Sequence, residues 1–190
     1  MKAGKNPFRS AAIARLRYKM PKEKLEALAK DISSNGPRHS CIVGKEGTGK
    51  TTLLEDLEPH LQKQGLRTTW LKLTLESTHH QRKEALATVS ALAESDCLLF
   101  DGGEVLNAFD WWHLKRSLRK SAGYLIATLH RPRNLPICYK TEPDWALAKS
   151  FVQELCEHDL EAIAKRAFEK GNGNMREVFR ACYWACAKSY

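Results

Sequence analysis

Residues 44–52 read Gly-Lys-Glu-Gly-Thr-Gly-Lys-Thr-Thr, and they match the phosphate-binding pattern G-x-x-x-x-G-K-[ST] at all of its fixed positions. The three glycines allow backbone dihedrals that a Cβ would forbid, so the loop can turn its N–H groups toward a phosphate. Lys50 would add positive charge for the β- and γ-phosphates, and the Thr51 hydroxyl would bind Mg²⁺. The predicted nucleotide-binding residues are therefore Gly44, Lys45, Glu46, Gly47, Thr48, Gly49, Lys50, Thr51 and Thr52.

The segments on either side of this loop have the required character. Residues 38–43 form a short, mostly apolar run that predicts a buried strand, and Leu54, Leu57 and Leu61 recur at helical spacing after the loop. A strand, a glycine loop and a helix in this order are the context that a P-loop needs. The alternative, a glycine-rich turn that binds nothing, does not require this context.

The rest of the chain alternates between strand-like and helix-like segments. Further strands are expected at residues 67–75, 97–101, 124–129 and 137–140, and a helix is expected at residues 79–94. This alternation predicts an α/β fold, a P-loop NTPase three-layer sandwich with a parallel five-stranded sheet and a small C-terminal helical lid. We expect a basic, irregular N-terminal arm and capping helix at residues 1–36, the P-loop core at 37–142 and the lid at 143–190.

A second carboxylate is needed to hold Mg²⁺ opposite the P-loop hydroxyl. The apolar run Cys97-Leu98-Leu99-Phe100 ends at Asp101, which is where an acidic Mg²⁺ ligand of a P-loop protein stands. Thr51 and Asp101 are therefore the predicted metal ligands.

Several short motifs follow one another in order over nearly all of the chain. They are Asn6-Pro7-Phe8, the P-loop, Asp101-Gly102-Gly103-Glu104, Thr128-Leu129-His130-Arg131-Pro132, Leu135-Pro136 and Gly173-Asn174-Met175-Arg176-Glu177. With its motifs in this order, the chain resembles a group of small P-loop ATPases of unassigned function. It also resembles the AAA+/ASCE branch of P-loop proteins, because one strand is inserted between the P-loop and the strand that ends at Asp101. The resemblance implies an ATP-binding domain with ATP and Mg²⁺ as cofactors.

The resemblance also implies roles for residues outside the P-loop. A glutamate usually follows the metal-binding aspartate and polarises the attacking water, but this chain has Gly102 there. Glu104 is the next acid, and it serves either as the base or only as a favourable charge at a helix N-terminus. Thr128, or alternatively His130, would sense the γ-phosphate unless it only caps the strand. The implied catalytic residues are Lys50, Asp101, Glu104, Thr128 and Arg176.

Three arginines near the expected nucleotide edge remain ambiguous. Arg176 opens the last helix, where related ATPases place an arginine that touches the γ-phosphate, and no strong acidic partner stands at helical spacing from it. Arg131 and Arg133 could act on a neighbouring subunit's phosphate as an arginine finger. The favoured interpretation of these two is a basic surface loop.

Charge is distributed unevenly along the sequence. The formal net charge is +9, and two acid-free segments, residues 1–22 and 111–141, hold 14 of the 31 basic residues. Such patches indicate an anionic partner, either a nucleic acid or an acidic protein. An oligomer is compatible with the sequence.

The remaining composition indicates a cytoplasmic protein with free thiols. None of the six cysteines forms a C-x-x-C pair, so buried thiols in a reducing compartment are expected. No apolar run approaches the ~18 residues of a membrane helix, so no membrane partner is expected.

These features leave three functional hypotheses. The first is Mg²⁺-dependent ATP binding with hydrolysis coupled to a macromolecular partner. The second is a small-molecule or nucleotide kinase, and the third is a non-hydrolysing ATP-gated module that binds nucleic acid.

Overall fold

A computed structural model describes residues 5–89, 92–120 and 122–188 of the 190-residue chain. The basic arm expected at residues 1–36 and the helix expected at residues 79–94 therefore lie partly outside the described residues. The chain divides into two compact units. The smaller unit comprises Met1–Lys19, Lys45–Gly49 and Thr141–Tyr190, and the larger unit comprises Met20–Gly44 and Lys50–Lys140.

The described residues form five strands and eight α-helices. The strands are β1 (His39–Val43), β2 (Arg67–Lys72), β3 (Asp96–Asp101), β4 (Tyr124–Leu129) and β5 (Ile137–Lys140). The helices are α1 (Ser10–Ile13), α2 (Lys22–Lys30), α3 (Lys50–Lys63), α4 (His79–Val89), α5 (Ala108–Leu118), α6 (Trp145–Leu155), α7 (Glu161–Lys170) and α8 (Met175–Lys188). None of these helices is long and apolar enough to cross a membrane.

The larger unit is built on one parallel sheet with the strand order β2-β3-β4-β1-β5. Strands β1, β3 and β4 are buried along most of their length, as expected for parallel strands covered on both faces. The α/β class and the parallel five-stranded sheet predicted from the sequence are confirmed. Because β4 lies between β1 and β3, the carboxyl ends of these three strands lie side by side.

The helices of the larger unit bury apolar stripes against this sheet. Leu53, Leu54, Leu57 and Leu61 of α3 are fully buried, which follows from their spacing of three and four residues. Helix α2 packs against α3 and continues into a π-helical turn, Asp31–Asn35, that ends at Gly36.

The smaller unit has a separate core formed by helices α6–α8 and the N-terminal segment. Phe8 is 2% exposed, and its ring centroid lies 6.4 Å from that of Phe179 in α8. The Asn6 amide is buried, donates to the Tyr183 carbonyl at 3.0 Å and accepts from the Phe8 N–H at 2.9 Å. Outside the one-turn helix α1 the residues from Asn6 to Lys19 are irregular, but Phe8 and Leu16 are buried in this core. The extent of the N-terminal arm stays a prediction.

The second strand is shorter than expected. The alternating pattern predicts a strand up to Leu75, but β2 ends at Lys72 and Leu75 is 88% exposed. The neighbouring strand β3 ends at Asp101, so beyond the bond from the Leu73 N–H to the Asp101 carbonyl there is no further strand to pair with. A turn closed by the Ser77 N–H and the Thr74 carbonyl follows.

Candidate functional site

The end of β1, in the larger unit, leads directly into the P-loop. The Gly44 N–H donates to the Leu129 carbonyl at 3.1 Å, which joins the loop to the end of β4. The Lys50 ammonium, only 8% exposed, donates to the Gly44 carbonyl at 2.8 Å. The chain thus bends back on itself between positions 44 and 50 and holds the Lys50 cation inside the bend.

Asp101 is the centre of a hydrogen-bond network that joins three elements. The Thr51 hydroxyl lies 3.0 and 3.1 Å from the two Asp101 carboxylate oxygens and donates to this group. The Thr128 hydroxyl, which is almost fully buried, donates to Asp101 Oδ1 at 2.6 Å and accepts from the Gly102 N–H at 3.2 Å. Thr51, a predicted metal ligand, and Thr128, the predicted sensor, therefore both donate to the carboxylate of Asp101, the other predicted metal ligand. Their chemical roles stay predictions.

Gly102 adopts a conformation that excludes a side chain. Its φ is +87°, in the left-handed region, and a Cβ added to it would lie 2.0 Å from the Leu73 carbonyl oxygen. A backbone atom cannot yield as the end of a flexible side chain can. The position at which similar ATPases carry a catalytic glutamate is therefore sterically closed to any glutamate in this backbone.

Glu104 lies just beyond this bend, in the 3₁₀ turn Gly103–Val105. Its carboxylate Oε1 is 3.5 Å from Nε2 of His130, which directly follows β4. Both side chains are partly exposed, so they are accessible from solvent. Glu104 is thus not only a favourable charge at a helix N-terminus, because it also contacts the residue that follows the sensor strand.

Arg133 stabilises the turn that carries Glu104. One guanidinium nitrogen of Arg133 donates to the Gly103 carbonyl at 3.0 Å and to the Leu106 carbonyl at 2.9 Å. These carbonyls flank Glu104 on both sides, so the bonds fix the backbone around it.

Arg133 is also held from the other side by helix α5. Its guanidinium carbon lies 4.6 Å from the Trp111 ring centroid, and the Trp111 indole N–H donates to the Arg133 carbonyl at 3.1 Å. Burial lowers the pKa of Arg133 below its ordinary value. Arg133 is therefore a half-buried residue with a structural role, which its sequence context in a basic loop does not reveal. Arg131, by contrast, is exposed.

The middle of the P-loop, residues 45–49, is described within the smaller unit, where the start of α8 contacts it. The Met175 N–H donates to the Gly47 carbonyl at 3.2 Å. Arg176 forms an exposed ion pair with Glu46 at 3.0 Å. The acidic partner of Arg176 therefore comes from the P-loop, and a search of the helix sequence alone misses it. A contact between Arg176 and a nucleotide stays a prediction.

Two P-loop glycines are required by this packing. Gly47 and Gly49 have φ values of +72° and +86°. A Cβ on Gly47 would lie 1.9 Å from the Asn174 amide oxygen, and one on Gly49 would lie 2.7 Å from the Tyr18 ring. Neither Tyr18 nor Asn174 was predicted to contact the loop, although Asn174 belongs to the motif that opens the last helix.

Five of the six cysteines are buried. All six are free thiols, and burial raises the pKa of Cys41 and Cys97 to about 12. A buried, protonated thiol is a poor nucleophile and a poor metal ligand. Among the described residues, no group of three or more His, Cys, Asp or Glu side chains could hold a metal ion.

The fold can be compared with known proteins. No protein-family model and no curated protein sequence matches this chain. Among solved structures, a DNA replication initiation factor is similar, with 17% identity, a TM-score of 0.54 and coverage of 82% of this chain and 56% of that one. The replication initiator DnaA bound to AMPPCP and single-stranded DNA is also similar, with 18% identity, a TM-score of 0.55 and coverage of 86% and 60%.

This chain spans less than two thirds of the length of either of these proteins. At such identities the likeness shows the fold alone. The chain therefore has an α/β fold similar to that of these two proteins, and its own sheet has five parallel strands.

Proposed function

We propose that this protein binds ATP with Mg²⁺ at the P-loop and hydrolyses it. The observation that carries the proposal is the Thr51–Asp101–Thr128 network. A hydroxyl at the start of the P-loop helix and a carboxylate at the end of β3 lie within 3.1 Å of each other, although they are 50 residues apart in sequence. A glycine-rich turn that binds nothing has no need of this arrangement.

The donor set fits Mg²⁺. Mg²⁺ prefers hard oxygen ligands and is usually held by one or two protein oxygens together with phosphates and water. Thr51 and Asp101 supply one hydroxyl and one carboxylate, and they would hold the ion. Bound there with ATP, Mg²⁺ would supply positive charge against the β- and γ-phosphates.

The chain's own residues would bind and orient the triphosphate. Lys50 now bonds the Gly44 carbonyl, and a phosphate oxygen would compete with this neutral acceptor for the ammonium because a charged acceptor makes the stronger bond. Backbone N–H groups of Gly47 and Gly49, whose left-handed conformations turn the loop, would contribute further donors. Thr128 would orient the Asp101 carboxylate by donating to it.

In hydrolysis, the oxygen of a water molecule forms a bond to the γ-phosphorus as the bond from that phosphorus to the β–γ bridging oxygen breaks. ADP leaves, and the proton of the water passes to a base and then to phosphate. We assign Glu104 as the base, because position 102 cannot carry a glutamate and Glu104 is the next acid along the chain. His130 would orient its carboxylate, and Arg133 would hold its turn.

The first test is ATP binding measured by calorimetry with and without Mg²⁺. Lys50→Ala should abolish binding, whereas Lys63→Ala, an exposed lysine at the other end of the same helix, should leave it unchanged. Tight ATP binding by the Lys50→Ala variant would refute the assignment of the P-loop.

The second test is phosphate release. Glu104→Gln should leave the ATP dissociation constant within about threefold and lower kcat by about 10²-fold or more, the usual effect of removing a general base. Glu76→Gln, an exposed acid in the same unit, is the control. Unchanged turnover would remove Glu104 from the mechanism.

The same assay separates the alternative functions. Phosphate release without an acceptor supports the ATPase, and transfer only to an added acceptor supports a kinase. ATP binding without turnover supports the nucleotide-gated module. Coupling of hydrolysis to a macromolecular partner, a cytoplasmic location and the assignment of residues 143–190 as a lid remain parts of this proposal.

A further inference from the structure

Helix α5 has two faces of opposite character. Its buried face carries Trp111, Leu114 and Leu118, which pack into the core of the larger unit. Its other face carries Phe109, Trp112, His113 and Arg116, at positions i, i+3, i+4 and i+7, which a helix aligns on one side. We call these four residues the α5 face.

The aromatic side chains of the α5 face are exposed to solvent and contact one another. Phe109 is 67% exposed and Trp112 is 56% exposed. The His113 ring stands edge-on to both, with centroid distances of 4.4 Å to Phe109 and 4.9 Å to Trp112. The Arg116 guanidinium lies 5.8 Å from the Trp112 ring. The α5 face thus presents large π surfaces to solvent, held by contacts within the helix.

The surroundings of these rings are strongly basic. Lys115, Arg116, Arg119 and Lys120 follow them, and the only acid of the helix, Asp110, is buried. Helix α4, which packs against α5, adds Arg82 and Lys83 and a single acid, Glu84. An anion approaching the α5 face would therefore meet cations beside exposed aromatic rings.

We propose that the α5 face binds single-stranded nucleic acid, with unpaired bases stacked on Phe109 and Trp112 and the backbone phosphates neutralised by the neighbouring basic residues. Exposed aromatic rings next to cations are the pairing that single strands need, because every base offers a π face and every nucleotide a negative charge. A duplex hides its base faces, and an apolar protein partner would have no use for four cations within residues 115–120.

This inference rests on the proposed function only in naming the partner of the ATPase. Binding through the α5 face requires no nucleotide, so it is tested on nucleotide-free protein. If Lys50→Ala loses ATP binding but keeps the oligonucleotide, the two proposals are supported separately. If the α5 face fails while ATP is hydrolysed, only this inference is overturned.

The experiment is fluorescence anisotropy with labelled single strands of about 20 nucleotides, oligothymidylate and oligouridylate, at about 50 mM salt. Wild-type protein should bind at least one of the two, and the pair distinguishes DNA from RNA. Removal of a stacking ring by alanine substitution should weaken binding by about fivefold or more. Phe109→Ala/Trp112→Ala should therefore weaken it by about 25-fold or more, and Trp112→Phe should retain most of the affinity.

A matched control is present in the same chain. Trp184 is 59% exposed, nearly the same as Trp112, but it lies on α8 of the smaller unit. Trp184→Ala should leave oligonucleotide binding unchanged. Because the altered side chains are exposed, thermal unfolding should show all variants folded. Arg116→Gln should reduce the slope of log affinity against log salt by about 0.7, the value for one contact with a single strand.

Three outcomes would overturn the inference. The first is no binding of either oligonucleotide by wild-type protein, and the second is equal loss in the α5 and Trp184 variants. The third is duplex binding as tight as single-strand binding, which would indicate charge alone. If sedimentation instead shows a self-associating protein that Phe109→Ala/Trp112→Ala makes monomeric, and no oligonucleotide binds, the α5 face is a protein interface.

Discussion

Substitution of Gly102 by alanine tests whether the backbone truly closes this position. Gly102 and Gly65 have nearly equal φ values, +87° and +86°. They differ in their surroundings, because a Cβ on Gly65 would meet nothing within 4 Å and one on Gly102 would lie 2.0 Å from the Leu73 carbonyl oxygen. Both belong to the larger unit. Gly65→Ala thus measures the cost of the left-handed conformation, and Gly102→Ala measures that cost together with the steric clash.

The expected magnitudes follow from these two contributions. A residue with a Cβ in the left-handed region costs about 1–2 kcal/mol, and alanine returns about 0.4–1 kcal/mol by restricting the unfolded chain. Gly65→Ala should therefore destabilise by about 1 kcal/mol. In Gly102→Ala the clashing atoms must separate by at least about 1 Å, and forcing such an overpacked contact apart adds about 1–3 kcal/mol or more. In a chain of this length, that difference is about 2–12 °C in Tm.

The assay is urea unfolding of both variants, followed by circular dichroism and compared with the wild-type free energy of unfolding. Equal destabilisation by the two substitutions would refute the claim that the Leu73 carbonyl closes position 102. Gly102→Glu tests the same claim through ATP turnover. It should restore no turnover to the Glu104→Gln variant, because its Cβ would clash with the Leu73 carbonyl oxygen.

Three further substitutions test other contacts. Glu46→Gln should change the free energy of unfolding by less than about 1 kcal/mol, because the ion pair of Glu46 with Arg176 is exposed. Calorimetry should nevertheless show tighter ATP binding, because the substitution removes a negative charge from the P-loop. Weaker ATP binding would contradict this reasoning. Arg133→Lys, which loses the guanidinium fork, should lower kcat through the Glu104 turn more than it changes the ATP dissociation constant, and equal effects on both would argue against it. Burial lowers the pKa of His39 below its ordinary value of 6.5. The unfolded chain therefore binds more protons than the folded chain at acidic pH, and the Tm should fall as the pH drops below about 6.5. His39→Gln should make the Tm less dependent on pH, and an unchanged dependence would exclude His39 as its source.

The elements that the sequence predicts well are those set by local pattern. The P-loop helix has leucines at helical spacing, and strands β3 and β4 are apolar runs bounded by polar residues or glycine, so periodicity and composition suffice. Asp101 and Thr128 could be placed because both stand at the carboxyl ends of such strands. Their shared hydrogen bond then follows from the strand order, in which β4 adjoins β3.

The features that escaped prediction depend on contacts between distant residues. Leu75 continues the alternation of its strand but has no neighbour to pair with, so tertiary structure overrides the pattern. Trp111 and Trp112 are adjacent and chemically identical, but one is buried and the other is 56% exposed. Arg133 looks like a solvated loop residue until the carbonyls of Gly103 and Leu106 are brought to it. None of these contacts has a signature in the local sequence.

These unpredicted contacts connect the two proposed binding functions within the larger unit. Helix α5 presents Trp112 to solvent and Trp111 to Arg133, and Arg133 in turn bonds the carbonyls on both sides of Glu104. A nucleic acid bound on the α5 face would rotate this helix. Arg133 would pass the movement to the turn that carries Glu104, the proposed general base. We therefore expect oligonucleotide to change kcat, with the ATP dissociation constant held within about threefold, by a factor in the range of about 5 to 150 that is typical of coupled sites.

The link through Arg133 can be tested separately from binding. Arg133→Lys should bind oligothymidylate as wild-type does but should lose the effect of oligonucleotide on kcat, because the α5 face is intact and the bonds to the turn are not. An undiminished effect in this variant would show that coupling takes another route. An oligonucleotide that binds without changing kcat in wild-type protein would show that the two sites act independently, although each proposal by itself would stand. If the contacts of Arg133 only stabilise the fold, the variant keeps the effect of oligonucleotide on kcat. If they transmit oligonucleotide binding to Glu104, the variant loses that effect.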